Sequence, residues 1–554
     1  MHLIRRLLER LREERGNTMA AVMGVMLVGG LLAAAAIASP AKDVGLSRFD
    51  QDYKDALAAA EAGAADYMYH LNRDNAYWAK CTNVADPNAV NQPYTGSGST
   101  RWRTVPGTTS KPGAPANSYS IELVTANGYS TCVNGQAQQS MIDDDTGMFR
   151  IRVTGRARNA KRTINVTFKR RNFLDYLYFT DLETTDPVWY EVNAYDRPTD
   201  PNLVAWASEN CAKTYWRQGR GNLTYAGNIN WFDGNDYPWT VKCGEIQFAP
   251  GDVIAGPLHT NDEILTCGSP DFGRSPQDRV EVSGPDPGWR TSCGGSPTFV
   301  GTFAPNSPLL TLPPSNSSLK KIVDPAYLFT GATTLRLDGN NMRVTNAAAG
   351  LNDVGMPLPS NGVVYVQNGV CGQGYRPLDP YGNAPGCADV RVSGPYGGDL
   401  TLASEKDIII DGDINRTADT MAGLIANNFV RVYHPVKNRS PTNPYSCEND
   451  AGTMQNVRID AAILALQHSF TVDNYYCGDP LQTLAITGAI AQKFRGPVGM
   501  GNGVASIHGY TKRYTYDDRL RFRSPPNFLD PVQTAWRIAR HTEQSPASKI
   551  PAGP

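Results

Sequence analysis

From Gly16 to Ala41 the chain carries no charge, and the centre of that run, Met19 to Ala38, is nearly all Ala, Val, Leu, Met and Gly. About 20 such residues in a helix, at ~1.5 Å rise each, match the ~30 Å hydrocarbon core of a bilayer. The preceding stub sets Arg5, Arg6, Arg10, Arg12 and Arg15 against Glu9, Glu13 and Glu14, while only Lys42 follows closely on the other side. A basic excess on one flank predicts a cytoplasmic N-terminus. The expectation is a single-pass membrane protein whose bulk is extracytoplasmic. The rival reading is a secretory signal cut after Ala36-Ile37-Ala38, although the apolar core of a signal is only about 7–15 residues. Under both readings the bulk of the chain leaves the cytoplasm.

The rest of the composition suits that address. The 554 residues hold 52 Lys+Arg and 53 Asp+Glu, a net charge of −1, so no global field draws the chain to nucleic acid or an anionic surface. With 52 Gly, 39 Pro and short aliphatic runs, the texture is that of turn-rich β structure. Ten cysteines fall in five local pairs, Cys81/Cys132, Cys211/Cys243, Cys267/Cys293, Cys371/Cys387 and Cys447/Cys477. None forms CxxC and no His stands at zinc-ligand spacing from two of them, so no metal site or cofactor is expected. An even count outside the cytoplasm reads as disulfides, taken in sequence order because local loops close most readily, with other connectivities left open.

Past Pro40 a helical pattern restarts. Leu46, Phe49, Tyr53, Leu57, Ala60, Ala64, Tyr67 and Leu71 recur at steps of three and four. Between Tyr119 and Phe173 the period becomes two: Phe149, Ile151 and Val153 share a face with Ile164, Val166 and Phe168, opposite Arg150, Arg152, Asn165 and Thr167. The expected organisation is a basic leader (1–16), a transmembrane helix (17–39), its extracytoplasmic continuation (40–74) and an antiparallel sheet (75–186). An aromatic and Gly-rich connection (187–250), a large all-β region (251–523) and a polar tail (524–554) follow. Short strands separated by Gly, Asn and Asp turns suit a β-solenoid in the large region, with a β-sandwich as the alternative.

Several segments resemble one family. The Arg-rich stub, Gly16, the apolar helix and Asp55-Ala56-Leu57-Ala58-Ala59-Ala60-Glu61-Ala62-Gly63 are similar to type IV pilin-like proteins, above all those with a PilX-type N-terminal domain. Phe173-Leu174-Asp175-Tyr176-Leu177-Tyr178-Phe179-Thr180-Asp181, Gly256-Pro257-Leu258-His259-Thr260-Asn261-Asp262, Gly496-Pro497-Val498-Gly499 and His508-Gly509-Tyr510-Thr511-Lys512 resemble segments of its large members. The resemblance implies an α+β pilin-like module, a long N-terminal transmembrane helix on a small antiparallel sheet, carrying a large β-solenoid-like domain. It also implies processing between Gly16 and Asn17, and other pilin or pilus-assembly subunits as partners. Pilins usually carry Glu at the fifth residue beyond the cut; here that position is Ala21, which implies a minor component.

Sites of chemistry are sparse. Asp411-Gly412-Asp413-Ile414-Asn415 opens like a calcium loop, but positions six and twelve are Arg416 and Ala422, so it reads as a turn. His259 with Asp262 and Glu263 has the residue types of an acid–base or metal cluster, yet 262 lies on the opposite strand face from 259 and 263. His508 has no partner visible in the sequence. No catalytic residue is assigned. Two basic patches remain. Arg156, Arg158, Lys161, Arg162, Lys169, Arg170 and Arg171 suit a solvated hairpin. Lys512, Arg513, Arg519, Arg521 and Arg523, interleaved with Tyr514 and Tyr516, suit contact with nucleic acid, charge for phosphate and rings for stacking.

The reading is thus a non-enzymatic, minor pilin-like surface protein in a type IV pilus-related assembly, at the cell surface or in the pilus, serving adhesion, assembly or DNA uptake. The alternative is a membrane-held β-helix that binds or cleaves polysaccharide.

Overall fold

The computed structural model describes residues 18–74, 77–79, 102–108, 116–126, 128–129, 132, 140–142, 148–191, 201–230, 236–372, 374–382, 384–440, 443, 445–501, 506–521, 523–532 and 536–548. Gly16, Asn17 and Cys81 lie outside them. The chain divides into two units, Met1–Lys169 with Trp536–Pro554, and Arg170–Ala535.

In the first unit a 56-residue helix, Thr18–Arg73, is followed by a five-stranded sheet. Its strand order is Arg103–Thr104, Ser118–Val124, Met148–Ala157, Ala160–Arg170 and Trp536–Gln544. The alternation in the two central strands sends Phe149, Ile151, Val153, Ile164, Val166 and Phe168 to one face, all at most 1% exposed. Ala60, Ala64, Tyr67 and Leu71 of the helix join them in one core. Packing of the helix begins at Ala56, later than its pattern suggests, because Phe49 (66% exposed) and Tyr53 (40%) stay at the surface. Small residues set the separation of helix and sheet: a Cβ on Gly155 would run into the backbone of Ala56 and Ala60. Gly155→Val is therefore expected to cost about 1–3 kcal/mol by overpacking, read as a lowered thermal midpoint with the fold retained.

Two expectations are corrected here. The tail contributes a strand: Trp536–Gln544 completes the sheet, and Trp536, 3% exposed, sits edge-on to Phe149 at 4.8 Å. Trp536 is its one buried residue, and the polar run that follows carries no two-residue alternation of burial for the sequence to show. The fold class also differs from the α+β module with a transmembrane helix. The chain is mostly β, and no helix among the described residues is long and apolar enough to cross a membrane. The first helix is apolar at its start, but from Arg48 onward it carries Asp50, Asp52, Lys54 and Asp55, and from Ala56 it is committed to the sheet.

The second unit is wound from short strands that pair in parallel with the next turn of chain. One ladder runs through Val363–Gln367, Leu400–Ser404, Ala422–Ala426, Val457–Ala465, Thr483–Arg495, Tyr178–Thr185, Leu258–Thr260 and Val280–Val282. Its register stacks Val364, Leu402, Leu424, Ile463, Ile490, Tyr178, Leu258 and Val280, each at most 5% exposed. Each turn covers the apolar face of its neighbour, which an isolated strand cannot do alone. Tyr178–Thr185 enters this ladder between strands some 80 and 300 residues further along the chain, so 170–186 belongs to this unit and not to the small sheet.

Residues 201–243 form an outwork of the same unit. Helix Pro201–Glu209 and the hairpin Thr224–Asn230/Asp236–Lys242 share a small core of Tyr190, Leu203, Ala207 and Trp239. The disulfide Cys211–Cys243 closes it, with Cα atoms 5.5 Å apart. Cys267–Cys293, Cys371–Cys387 and Cys447–Cys477 are bonded as well. Cys132 is also in a disulfide.

Candidate functional site: an uncovered apolar helix, and buried ion-pair networks of the β unit

The first half of the helix presents an exposed apolar surface. Nine large apolar side chains between Met19 and Leu32 are 52–73% exposed, Val25 and Met26 among the most open. Their order, Met, Val, Gly and Leu on every side, gives a helix that is apolar all round, unlike the amphipathic half that meets the sheet. No described residue of its own unit covers it, since the core cluster there begins at Leu57. A contiguous apolar surface of this kind marks a place of association.

The second basic patch has a different fate from that expected. The strand Thr511–Tyr516 lies parallel to Thr483–Arg495, in a register that pairs Tyr514 with Ile486 and Tyr516 with Gly488. Both rings are therefore interior, 4% and 2% exposed, and the Tyr516 hydroxyl donates to the Leu174 carbonyl at 2.6 Å. The cations are already paired. Lys512 Nζ is 2.9 Å from Asp252 Oδ2, Arg521 is 2.9 Å from Asp278 and Arg523 is 2.7 Å from Asp399. Arg519 holds Asp517 at 2.6 Å and also Asp419. Arg513 is exposed on the outer face of the strand. Burial pushes the Lys512 amine down, and the charge of Asp252 only partly offsets it. A nucleic-acid groove needs exposed cations and open rings, and this segment has neither in quantity.

In the first patch Arg158 meets Asp52 at 3.5 Å and Arg162 meets Glu543. Arg156 lies 4.6 Å over the Trp102 ring, and Arg171 is 3.2 Å from Glu281. Asp411 is held by both guanidinium nitrogens of Arg336, at 2.7 and 2.8 Å, and Asp413 accepts from the Arg458 amide. The calcium-like string is thus a charged turn. No group of three His, Cys, Asp or Glu suited to a metal ion exists among the described residues.

His259, Asp262 and Glu263 do not form one cluster. His259 is fully buried, its Nδ1 3.2 Å from Glu281 and its Nε2 3.1 Å from Asn261. Against the pull of burial, His259, Arg171 and the Tyr176 hydroxyl hold the Glu281 carboxyl down to about 2. Its folded value lies below the ordinary 4.5, so this contribution to stability is complete above pH about 4.5 and fades as pH falls toward 2. Glu281→Gln is expected to flatten the acid limb of the unfolding curve by on the order of 3 kcal/mol, measured by denaturant titration between pH 2 and 5. His508 Nδ1 takes a backbone partner, the Gly478 carbonyl, at 2.6 Å.

Asp262 has a separate and larger task. With Arg220 it forms an ion pair in which both side chains are 0% exposed. Arg220 also reaches Glu245 at 2.7 Å. The two Asp262 oxygens accept from the backbone amides of Trp216 (2.8 Å) and Glu183 (3.1 Å), tying the outwork to the parallel ladder. A second buried network centres on Arg431, 3.2 Å from Asp407 and 2.7 Å from Asp473, with Tyr375 4.9 Å from its guanidinium. Neither network is evident in the sequence, where Arg220 stands between two glycines and Arg431 within an apolar strand.

No family model matches the chain, and no curated protein matches it. Among solved structures, the competence-associated pilin ComZ from Thermus thermophilus matches over 89% of this chain and 97% of that one, at 11% identity and a TM-score of 0.27. A superposition at that level does not establish a common fold.

Proposed function

We propose that the protein is a structural subunit of a type IV pilus-related assembly, joined to neighbouring subunits through the uncovered apolar half of its first helix. The observation that carries this reading is the contrast within one helix. From Ala56 to Leu71 its inward face is buried on a sheet, while from Met19 to Leu32 it offers large apolar side chains with no described cover. Burying one such side chain is worth about 1.5–3 kcal/mol, so a handful of them is enough to drive association. The resemblance around Gly16, Asn17 and Asp55–Gly63 supports the same assignment, and Ala21 in place of the usual Glu favours a minor subunit. Its role is to assemble and to display the disulfide-braced β unit at the cell surface or in the pilus, with no catalysis. The DNA-receptor variant loses its main support, because the arginines it relies on are engaged by Asp278, Asp399, Asp419 and Asp517.

The N-terminal residue of the protein isolated from its native host tests the pathway. A chain beginning at Asn17 supports the proposal. A chain beginning near Ser39, or an uncut Met1, removes it from the pilus pathway.

A further inference from the structure

We propose that Lys406 and Asp389 become joined by an amide bond, a covalent staple between successive turns of the wound β unit. Asp389 stands immediately before the strand Val390–Tyr396, and Lys406 and Asp407 immediately before Ile408–Arg416. Those strands are parallel with Val390 opposite Ile408, which sets Asp389 against Asp407 across the turn. Lys406 Nζ lies 2.9 Å from Asp389 Oδ2, with the two side chains 8% and 20% exposed. The other carboxyl oxygen, Oδ1, is buried and has no hydrogen-bond partner. A carboxylate so placed is costly, whereas an un-ionised carboxyl with one free oxygen is tolerated. Burial first, and the charge of Asp407 second, raise the Asp389 carboxyl above its usual range.

That is the state from which an amide forms. An un-ionised carboxyl carbon accepts an amine where a carboxylate repels it, and contact at hydrogen-bond distance supplies the proximity that a reaction in water lacks. Asp407, whose own oxygens are taken by the Phe429 amide at 3.2 Å and by Arg431, acts through its charge, which favours the un-ionised form of Asp389. One proton passes from the Lys406 ammonium to Asp389 Oδ2 along their 2.9 Å contact, and Nζ attacks Cγ of Asp389. The Nζ–Cγ bond forms, the Cγ–Oδ2 bond breaks, and the hydroxyl departs as water with a second proton from nitrogen. No oxidant or other reactant is needed. A buried ion pair is replaced by a neutral amide, which a low-dielectric interior accommodates better.

A second buried pair serves as an internal contrast. Lys512 and Asp252 are also 2.9 Å apart, but Asp252 is held ionised, its carboxyl below the usual range in spite of burial because of Lys512 and the Ala249 amide. It stays an ion pair.

The test is the mass of the full-length chain, denatured and with disulfides reduced, followed by peptide mapping to account for N-terminal processing. The expected result is a deficit of one water, located in a branched peptide that joins residues 389 and 406, and absent from Lys406→Arg. Asp407→Asn is expected to leave a larger share of the chain unbonded. A mass equal to that of the sequence, with linear peptides containing Lys406 and Asp389, would overturn the proposal. So would a branch at Asp252 and Lys512 in its place. The wild-type measurement decides the matter even where a variant fails to fold.

Discussion

Asp262→Ala is expected to cost about 3–5 kcal/mol of stability, the loss seen when one partner of a buried ion pair is removed. The magnitude follows from what remains. Arg220 is 0% exposed, so its charge has no water to fall back on, and Glu245 is left as its carboxylate partner among the described residues. The amides of Trp216 and Glu183 lose their acceptors at the same time. Because those amides fasten the outwork, limited proteolysis should cut within residues 201–243 of the variant before the parallel ladder unfolds. Asp262→Asn keeps the shape and one acceptor oxygen and should fall between wild type and alanine. If alanine leaves the unfolding midpoint unchanged, the burial assigned to Arg220 is wrong.

Paired substitutions Val25→Asp and Val28→Asp are expected to abolish incorporation into the assembly while leaving the folded units intact. Both residues are more than half exposed, 73% and 56%, and neither belongs to a core cluster, so the monomer loses little. In a helix–helix contact each would place a carboxylate among apolar side chains, at a cost of several kcal/mol per site. Subunit recovered in assembled material should drop by at least about tenfold, which corresponds to only ~1.4 kcal/mol. Circular dichroism of the purified variant should stay as in wild type.

How far these sites were legible depended on the distance over which the determining contacts act. The two-residue alternation at Phe149–Val153 and Ile164–Phe168 is a local signal, and the faces it assigns are those found. The disulfides bridge 16 to 32 residues, close enough for sequence order to indicate the partners. The basic patch misled for the opposite reason. Its segment holds Asp517 and Asp518, and Asp517 does pair with Arg519, but further carboxylates reach Arg519, Arg521 and Arg523 from 100, 243 and 124 residues away. Charge counted along a segment says nothing about charge brought to it by neighbouring turns. Tyr178–Thr185 shows the same limit, since its parallel neighbours are set by winding rather than by its own composition. The uncharged run at the start identified an unusual helix, while its reading as a membrane span did not carry over to the structure.

The most direct measurement is photo-crosslinking in the native host from a reactive residue at position 25, with position 61 on the far half of the helix as the control. The account predicts a covalent product at position 25 with the apolar helix of another subunit of the pilus-related assembly, identified by mass spectrometry, and none at position 61. Equal products at both positions, or none at position 25 in cells that build the assembly, would contradict it.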